Sequence, residues 1–229
     1  MNRELGTVVV TGGASGLGAA TACAVAAAGG TPVVLDRRPP TADFDHELVD
    51  LADTAAAEDA VGKVIARYGG LQGVVTCAGT DSPAPFDALD RAAWERIVTV
   101  NLLATAATVR AALPALLDAH GTVVTVASTL GLRGVGDATA YCASKFGVIG
   151  FTRALAAETA GRLGVTMLVP GGMATAFFDE RDERYRPPAD ARLSPPGEVA
   201  DAILYALTRP PGVEVRELVV CPSEESSWP

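Results

Sequence analysis

At 229 residues, 49% of them hydrophobic and 20% charged, the chain can bury a sizeable core, is too apolar for a disordered segment, and suits one domain rather than two. A formal net charge of −9, with no basic stretch of any length to offset it, sets the surface against nucleic acid and anionic membranes. The two histidines and the widely spaced Cys23, Cys77, Cys142 and Cys221 form no metal-ligand pattern, so the cysteines are expected as buried small side chains in a reducing compartment.

The opening residues, Met1 to Gly6, lead into an apolar strand without a signal-like segment, and no apolar run is expected to approach membrane-spanning length, which makes the expected location cytoplasmic. Thr7-Val8-Val9-Val10-Thr11 is a β-branched run that predicts the first strand. It ends in Gly12-Gly13-Ala14-Ser15-Gly16-Leu17-Gly18, and an alanine-rich helical pattern follows to Gly29-Gly30. Strand, glycine loop and helix together suit a pyrophosphate: the glycines allow a tight turn and close backbone approach, and the helix start presents unpaired N–H groups. The spacing is Gly-x-x-x-Gly-x-Gly rather than the commoner Gly-x-Gly-x-x-Gly.

A second strand, Thr31 to Leu35, ends at Asp36, and an acidic residue about 20 positions beyond such a loop hydrogen-bonds the adenosine ribose in dinucleotide sites. Its carboxylate would repel a 2′-phosphate, which favours NAD over NADP, whereas Arg37 and Arg38, directly after it, suit that phosphate. His46 to Leu51 fits a third strand, Asp53 to Tyr68 a helix capped by Asp53, and Leu71 to Cys77 a fourth strand closing in Ala78-Gly79, where a cofactor can lie against bare backbone. A long helical pattern runs from Asp87 to about Ala119 and is interrupted near Asn101. Gly121 to Ala127 predicts a fifth strand that delivers Ser128 to the edge where open parallel sheets place ligands.

The next helix, from about Thr139 to Leu163, carries Tyr141 and Lys145 one turn apart on one face. A free tyrosine, with a pKa of about 10, is a poor proton donor or acceptor near neutrality, and a fixed neighbouring ammonium is expected to lower it. With Ser128, the pair suggests proton transfer to a carbonyl or from an alcohol. Val165 to Val169 predicts a sixth strand, Gly197 to Thr208 a final helix and Val215 to Val220 a last strand. Strands alternating with helices of these lengths predict an α/β fold, a parallel sheet with helices on both faces.

Assembled in order, Thr11-Gly12-x-x-x-Gly16-x-Gly18, Asp36, Asp50, Ala78-Gly79, Asn101, Ser128, Tyr141-x-x-x-Lys145 and Pro170-Gly171 with Thr175 resemble the short-chain dehydrogenase/reductase family, in its single-domain branch, over nearly the whole chain. The resemblance implies a doubly wound, Rossmann-like domain over 1–229 and an NAD(P)-dependent oxidoreductase that moves hydride between nicotinamide and a secondary alcohol or ketone. It implies that Gly12, Ser15, Gly16, Leu17 and Gly18 hold the pyrophosphate, Asp36 the ribose, and Asp50 with Leu51 the adenine edge, while Arg37 borders the ribose site. Ala78, Gly79, Pro170, Gly171, Met173 and Thr175 would line the nicotinamide half, and Lys145 would also bond the nicotinamide ribose. Asn101 would hold a water through its carbonyl as a proton relay, and Ser128 would bind the oxyanion. At Thr76-Cys77 the family's usual asparagines are missing, which removes a polar tie between strands.

The family keeps a substrate lid where this chain has residues 176–196, so Phe177, Phe178 and Tyr185 are expected to close an apolar pocket. The charges there read as a solvated face, with Arg184 or Arg186 as possible carboxylate partners. Residues 222–229 read as a polar tail. Small residues recur at Ala143, Gly147, Gly150, Ala154 and Ala157, and at Ala104, Ala107, Ala111 and Ala115, on two helices that pair with symmetry mates in the family, implying a homodimer or homotetramer. An NADPH-dependent 3-oxoacyl or polyketide ketoreductase is the alternative enzyme, and a dinucleotide-sensing scaffold the alternative without turnover.

Overall fold

A computed structural model describes residues 4–210 and 212–228; Met1, Asn2, Arg3, Pro211 and Pro229, which include the ends of the expected domain and tail, lie outside the described residues. The strands are β1 (Thr7–Thr11), β2 (Thr31–Asp36), β3 (Asp45–Leu48), β4 (Gly73–Thr76), β5 (Thr122–Val126), β6 (Gly164–Pro170) and β7 (Glu217–Val220). All pair in parallel, in the order β3-β2-β1-β4-β5-β6-β7. The helices are α1 (Gly16–Ala27), α2 (Thr54–Tyr68), α3 (Arg91–Val98), α4 (Ala104–Asp118), α5 (Thr139–Glu158) and α6 (Pro196–Leu207).

Both faces of the sheet are covered, so its central strands β1, β4 and β5 are buried at every position rather than at alternate ones. Val9, Val33, Val74 and Val123 face α2 and α4, while Val8, Val10, Val75 and Val124 face α1 and α6. Each such valine is wholly buried, and burial of this kind stabilises by roughly 1.5–3 kcal/mol per side chain. The chain winds outward in both directions from β1, which lies between β2 and β4. The crevice at that reversal, at the carboxyl ends of the strands, is where open sheets bind ligands.

Asp53 caps α2 as expected, accepting from the Ala56 N–H at 3.0 Å. The interruption near Asn101 is a π-helical stretch, Thr99–Leu103, between α3 and α4. These three pieces form one helical run, Arg91–Asp118, of 28 residues with a hydropathy of 1.5 in its most apolar window, which corrects the expectation that no apolar run approaches membrane-spanning length. Its apolarity serves the core, where Ala104, Ala112 and Leu116 are buried. Several boundaries also differ, among them β4, which starts at Gly73 rather than Leu71, and β7, which starts at Glu217 rather than Val215. β3 ends at Leu48 rather than Leu51, and α5 ends at Glu158 rather than Leu163 because Gly161 turns the chain at φ +76.

Cys142 is buried, but Cys23 is exposed on α1, against the expectation for all four cysteines. The two small-residue stripes also part company. On α4, Ala104 and Ala107 are buried and Ala111 and Ala115 pack on the core of their own chain. On α5, Ala143, Gly150, Ala154 and Ala157 face solvent beside the exposed Phe146, while Gly147 sits against Leu102.

Candidate active site

The glycine loop packs as a cradle that leaves no room for a side chain at Gly12 or Gly18. Gly12 has φ +69, and a Cβ on it would lie 2.8 Å from the Ala78 Cα; one on Gly18 would lie 2.2 Å from the Gly12 carbonyl oxygen. Ser15 stands at the start of α1 without a side-chain cap, leaving the first-turn N–H groups to an external acceptor. Leu17 and Leu51 turn their side chains into the two cores, which leaves their backbone for a ligand. Asp36, at the end of β2, accepts from the Ala14 N–H at 3.0 Å and the Arg38 N–H at 3.1 Å, so it borders the same loop. An uncapped helix start, a loop that excludes side chains at Gly12, Gly13 and Gly18, and an adjoining carboxylate fit a dinucleotide.

Asp50 has a partner that its sequence position did not suggest. It accepts from the Ala52 N–H at 3.0 Å, and the Arg96 guanidinium binds both its oxygens at 3.1 and 3.2 Å. The Ala52 bond and Arg96, with Arg37 more distant, hold its carboxyl below the usual range against a smaller effect of burial. Thr76 confirms the loss of a polar tie: its hydroxyl is buried with no hydrogen-bond partner among the described residues. Thr11 takes over part of that task by accepting from the Ala78 N–H at 3.2 Å.

The ends of β4 and β5, the π-helical stretch and α5 bring Gly79, Ser128, Asn101, Tyr141 and Lys145 together. The Lys145 ammonium donates to the Val126 carbonyl at 2.9 Å and lies 5.6 Å from the centre of the Tyr141 ring. A Cβ on Gly79 would lie 3.8 Å from Lys145 Nζ and 3.6 Å from Asn101 Oδ1. Asn101 is 1% exposed and clamps two segments: its Oδ1 accepts from the Thr80 N–H at 2.8 Å, and its Nδ2 donates to the Thr80 carbonyl and to Ser144 Oγ, both at 3.0 Å. Its own carbonyl accepts from Thr105 Oγ1 at 3.0 Å.

The electrostatics depart from the sequence expectation. Burial pushes the Tyr141 phenol up to about 12, with a hydrogen bond to Ser128 opposing it and Asp81 adding to it. The expected lowering by Lys145 is not seen, because burial brings Lys145 itself down to about 8 and its ammonium is turned to Val126. Burial also pushes the Cys77 thiol up to about 12, so that thiol is a packing group rather than a nucleophile.

The depressed Lys145 value has a consequence for stability. Below pH 8 the lysine is protonated both folded and unfolded, and the buried charge is destabilising. Between about 8 and the ordinary 10.5 only the unfolded chain holds the proton, so stability gains as pH rises through this window. Relative to Lys145→Met, the protein is expected to gain about 1.5 kcal/mol in denaturant unfolding between about pH 8 and pH 9.5. A flat difference would place the ammonium in a solvated setting.

After β6 come two short 3₁₀ turns, Ala176–Phe178 and Glu183–Tyr185, and the charges at Asp179, Glu180, Asp182, Glu183, Arg184 and Arg186 are exposed, as expected. The Phe177 ring centre is 5.9 Å from that of Tyr141. The charge that enters the site is Arg181, not Arg184 or Arg186. It pairs with Asp81 at 2.7 Å, the two side chains being 15% and 4% exposed, and its guanidinium carbon lies 4.9 and 4.7 Å from the Phe177 and Phe178 ring centres. Burial raises the Asp81 carboxyl even though Arg181 opposes it. The sequence signal was the spacing from Phe177 and Phe178 to Arg181, which brings a guanidinium onto rings one turn back. The Tyr185 hydroxyl donates to Asp137 Oδ2 at 2.8 Å.

Pro170 ends β6, and the Gly171 N–H donates to the Val220 carbonyl at 2.9 Å. Met173 bridges to Ser194, and Thr175 comes within 3.5 Å of where a Cβ on Gly16 would stand. These segments therefore join the glycine loop to the Tyr141 cluster across the sheet edge.

A family model described as short chain dehydrogenase matches residues 6–186. The chain is 33% identical over 205 residues to the short-chain dehydrogenase/reductase ABA4 of Pyricularia oryzae, covering 82% of this chain and 76% of that protein. It is 30% identical over 224 residues to a 3-oxoacyl-[acyl-carrier-protein] reductase of Thermotoga maritima, covering 90% and 91%. The ligand-free aldohexose dehydrogenase of Thermoplasma acidophilum superposes with a TM-score of 0.86 at 24% identity, over 94% of this chain and 92% of that one, a likeness of fold.

Proposed function

The chain belongs to the short-chain dehydrogenase family, oxidoreductases of alcohols or ketones that bind a nicotinamide dinucleotide, and from that premise we propose an NAD-preferring enzyme for a secondary alcohol or ketone with Tyr141 as its general acid/base. The observation that carries the proposal is the convergence of Ser128, Tyr141 and Lys145 beneath the lid, at the same sheet edge as the glycine cradle. Bound nicotinamide would supply the hydride chemistry. Near neutrality Tyr141 holds its proton and would give it to a carbonyl oxygen; in the oxidative direction its phenolate would take the alcohol proton. Ser128, bonded to Tyr141, would hold the developing oxyanion more tightly in the transition state than in the ground state. The Asn101 carbonyl, at the π-helical break between α3 and α4, would hold a water relaying protons from Lys145 to solvent.

Asp36 beside the Ala14 N–H supports NAD over NADP, while Arg37 and Arg38, directly after Asp36, support the alternative, an NADPH-dependent 3-oxoacyl or polyketide reductase. Against docking of an acidic carrier, Arg110 and Arg153 are paired with Glu58 and Glu217 of their own chain, and Arg133 donates to the Ser226 carbonyl. The proposal includes a cytoplasmic location and a homodimer or homotetramer formed through the exposed α5 face, to be read by sedimentation.

Fluorescence titration with NADH and NADPH at matched ionic strength tests the cofactor assignment. NADH is expected to bind at least about tenfold more tightly, a difference of about 1.4 kcal/mol. Preference for NADPH would mean that Arg37 or Arg38 overrides Asp36, and substrate screening would begin with 3-oxoacyl reduction. Binding of either cofactor without turnover of any alcohol or ketone would favour a dinucleotide-sensing scaffold.

A further inference from the structure

The segment after β7 does not trail into solvent. It lies across the carboxyl ends of β5 and β6. Glu225 Oε2 accepts from the Gly172 N–H at 2.7 Å, and Oε1 accepts from the Ser227 N–H at 3.0 Å and from Ser227 Oγ at 2.7 Å. Having given its only hydroxyl proton to Glu225, Ser227 takes one from Thr129, whose Oγ1 lies 2.6 Å away. Thr129 follows Ser128 directly and is buried. Arg133 donates to the Ser226 carbonyl at 3.2 Å and closes the strap from the other side.

Gly171 is fitted to this arrangement, since a Cβ there would stand 2.2 Å from Glu225 Oε2 and 3.0 Å from Pro222 Cδ. Partial burial alone would raise the Glu225 carboxyl, but the bonds from Ser227 and Gly172 outweigh it and hold the group below the usual range. The carboxylate is therefore charged near neutrality and acts as a fixed acceptor for two segments at once.

We propose that Glu225 is a positioning residue: it ties the Gly171–Gly172 backbone, on the nicotinamide side of the site, to the strand end that carries Ser128, and so sets the distance between cofactor and substrate. This rests on the function proposed above. Glu225 touches neither substrate nor cofactor in this assignment; it acts through Gly172 and through the Ser227–Thr129 pair. Misplacement of reacting groups by about 1 Å costs on the order of a hundredfold in rate.

The test compares Glu225→Ala, Glu225→Gln and a chain ended after Pro222 with the parent, by steady-state kinetics and by amide exchange of residues 170–178. Glu225→Ala and the shortened chain are expected to lose about ten- to hundredfold in kcat, with a smaller change in KM for the alcohol or ketone and faster exchange at Gly172. Glu225→Gln, which keeps an acceptor for Gly172, is expected to recover most of the rate. Faster exchange with unchanged kcat would make the strap structural only and overturn the proposal, as would unchanged exchange. A parent protein that binds no nicotinamide cofactor would instead sink the functional reading, and the exchange contrast would still decide whether Glu225 fixes the loop.

Discussion

Tyr141→Phe is expected to lower kcat by about a thousandfold while leaving NADH affinity within about twofold of the parent, the size of effect that a positioned general acid supplies. The substitution removes one hydroxyl and keeps the ring, so the contact with Phe177 at 5.9 Å and the packing under the lid survive. What is lost is the proton that the site holds near neutrality, because burial keeps this phenol protonated up to about pH 12. Stopped-flow transfer of hydride from NADH to a ketone found in the substrate screen reads the chemical step, and fluorescence titration reads binding. Loss of rate with binding intact identifies the acid; full activity in the variant would remove Tyr141 from the mechanism and revive the scaffold reading. Loss of both together would point instead to a lid that had collapsed onto the site.

Much of this site is legible in sequence because it depends on local rules. The glycine loop follows a β-branched run, Tyr141 and Lys145 are one turn apart on one helix, and Asn101 interrupts a helical pattern at the π-helical stretch, so each is decided within a dozen residues. The illegible part consists of pairs brought together by topology. Asp50 and Arg96 are 46 residues apart, Asp81 and Arg181 are 100 apart, and Gly172 and Glu225 are 53 apart; no periodicity relates them. Arg181 reads as solvated like the charges around it, because a sequence pattern carries no information about Asp81 lying across the site. The pKa of Tyr141 was misjudged for a related reason. Spacing places an ammonium nearby, but only the packed structure shows that Lys145 is itself desolvated and spends its donor on Val126. Boundaries failed where one residue decides them, as Gly161 does at the end of α5.

Gly18→Ala is expected to destabilise the protein by about 2 kcal/mol, the ordinary cost of overpacking, and to lower Tm by about 4–8 °C in a chain of this length. A new Cβ would stand 2.2 Å from the Gly12 carbonyl oxygen and 3.0 Å from the Gly13 Cα. These are backbone atoms, and neither can swing aside. Gly12 is itself anchored, since its N–H donates to the Leu35 carbonyl at 2.9 Å and its φ of +69 suits only glycine without strain. Relief must come from α1, yet α1 is held on its far side, where Leu17 and Val25 pack into the core with Ile203 and Leu207 of α6. Any movement displaces the first-turn N–H groups that the proposal assigns to the pyrophosphate, so stability and NADH affinity are expected to fall together, the latter by about tenfold or more. Gly62→Ala provides the contrast: it lies inside α2, a Cβ there meets nothing within 4 Å, and the better helix former is expected to stabilise by about 0.5–1 kcal/mol. Thermal unfolding with and without NADH separates the cases. If Gly18→Ala unfolds at the parent temperature and binds NADH equally well, α1 is free to slide, and the cradle is not the close fit from which a pyrophosphate site was inferred.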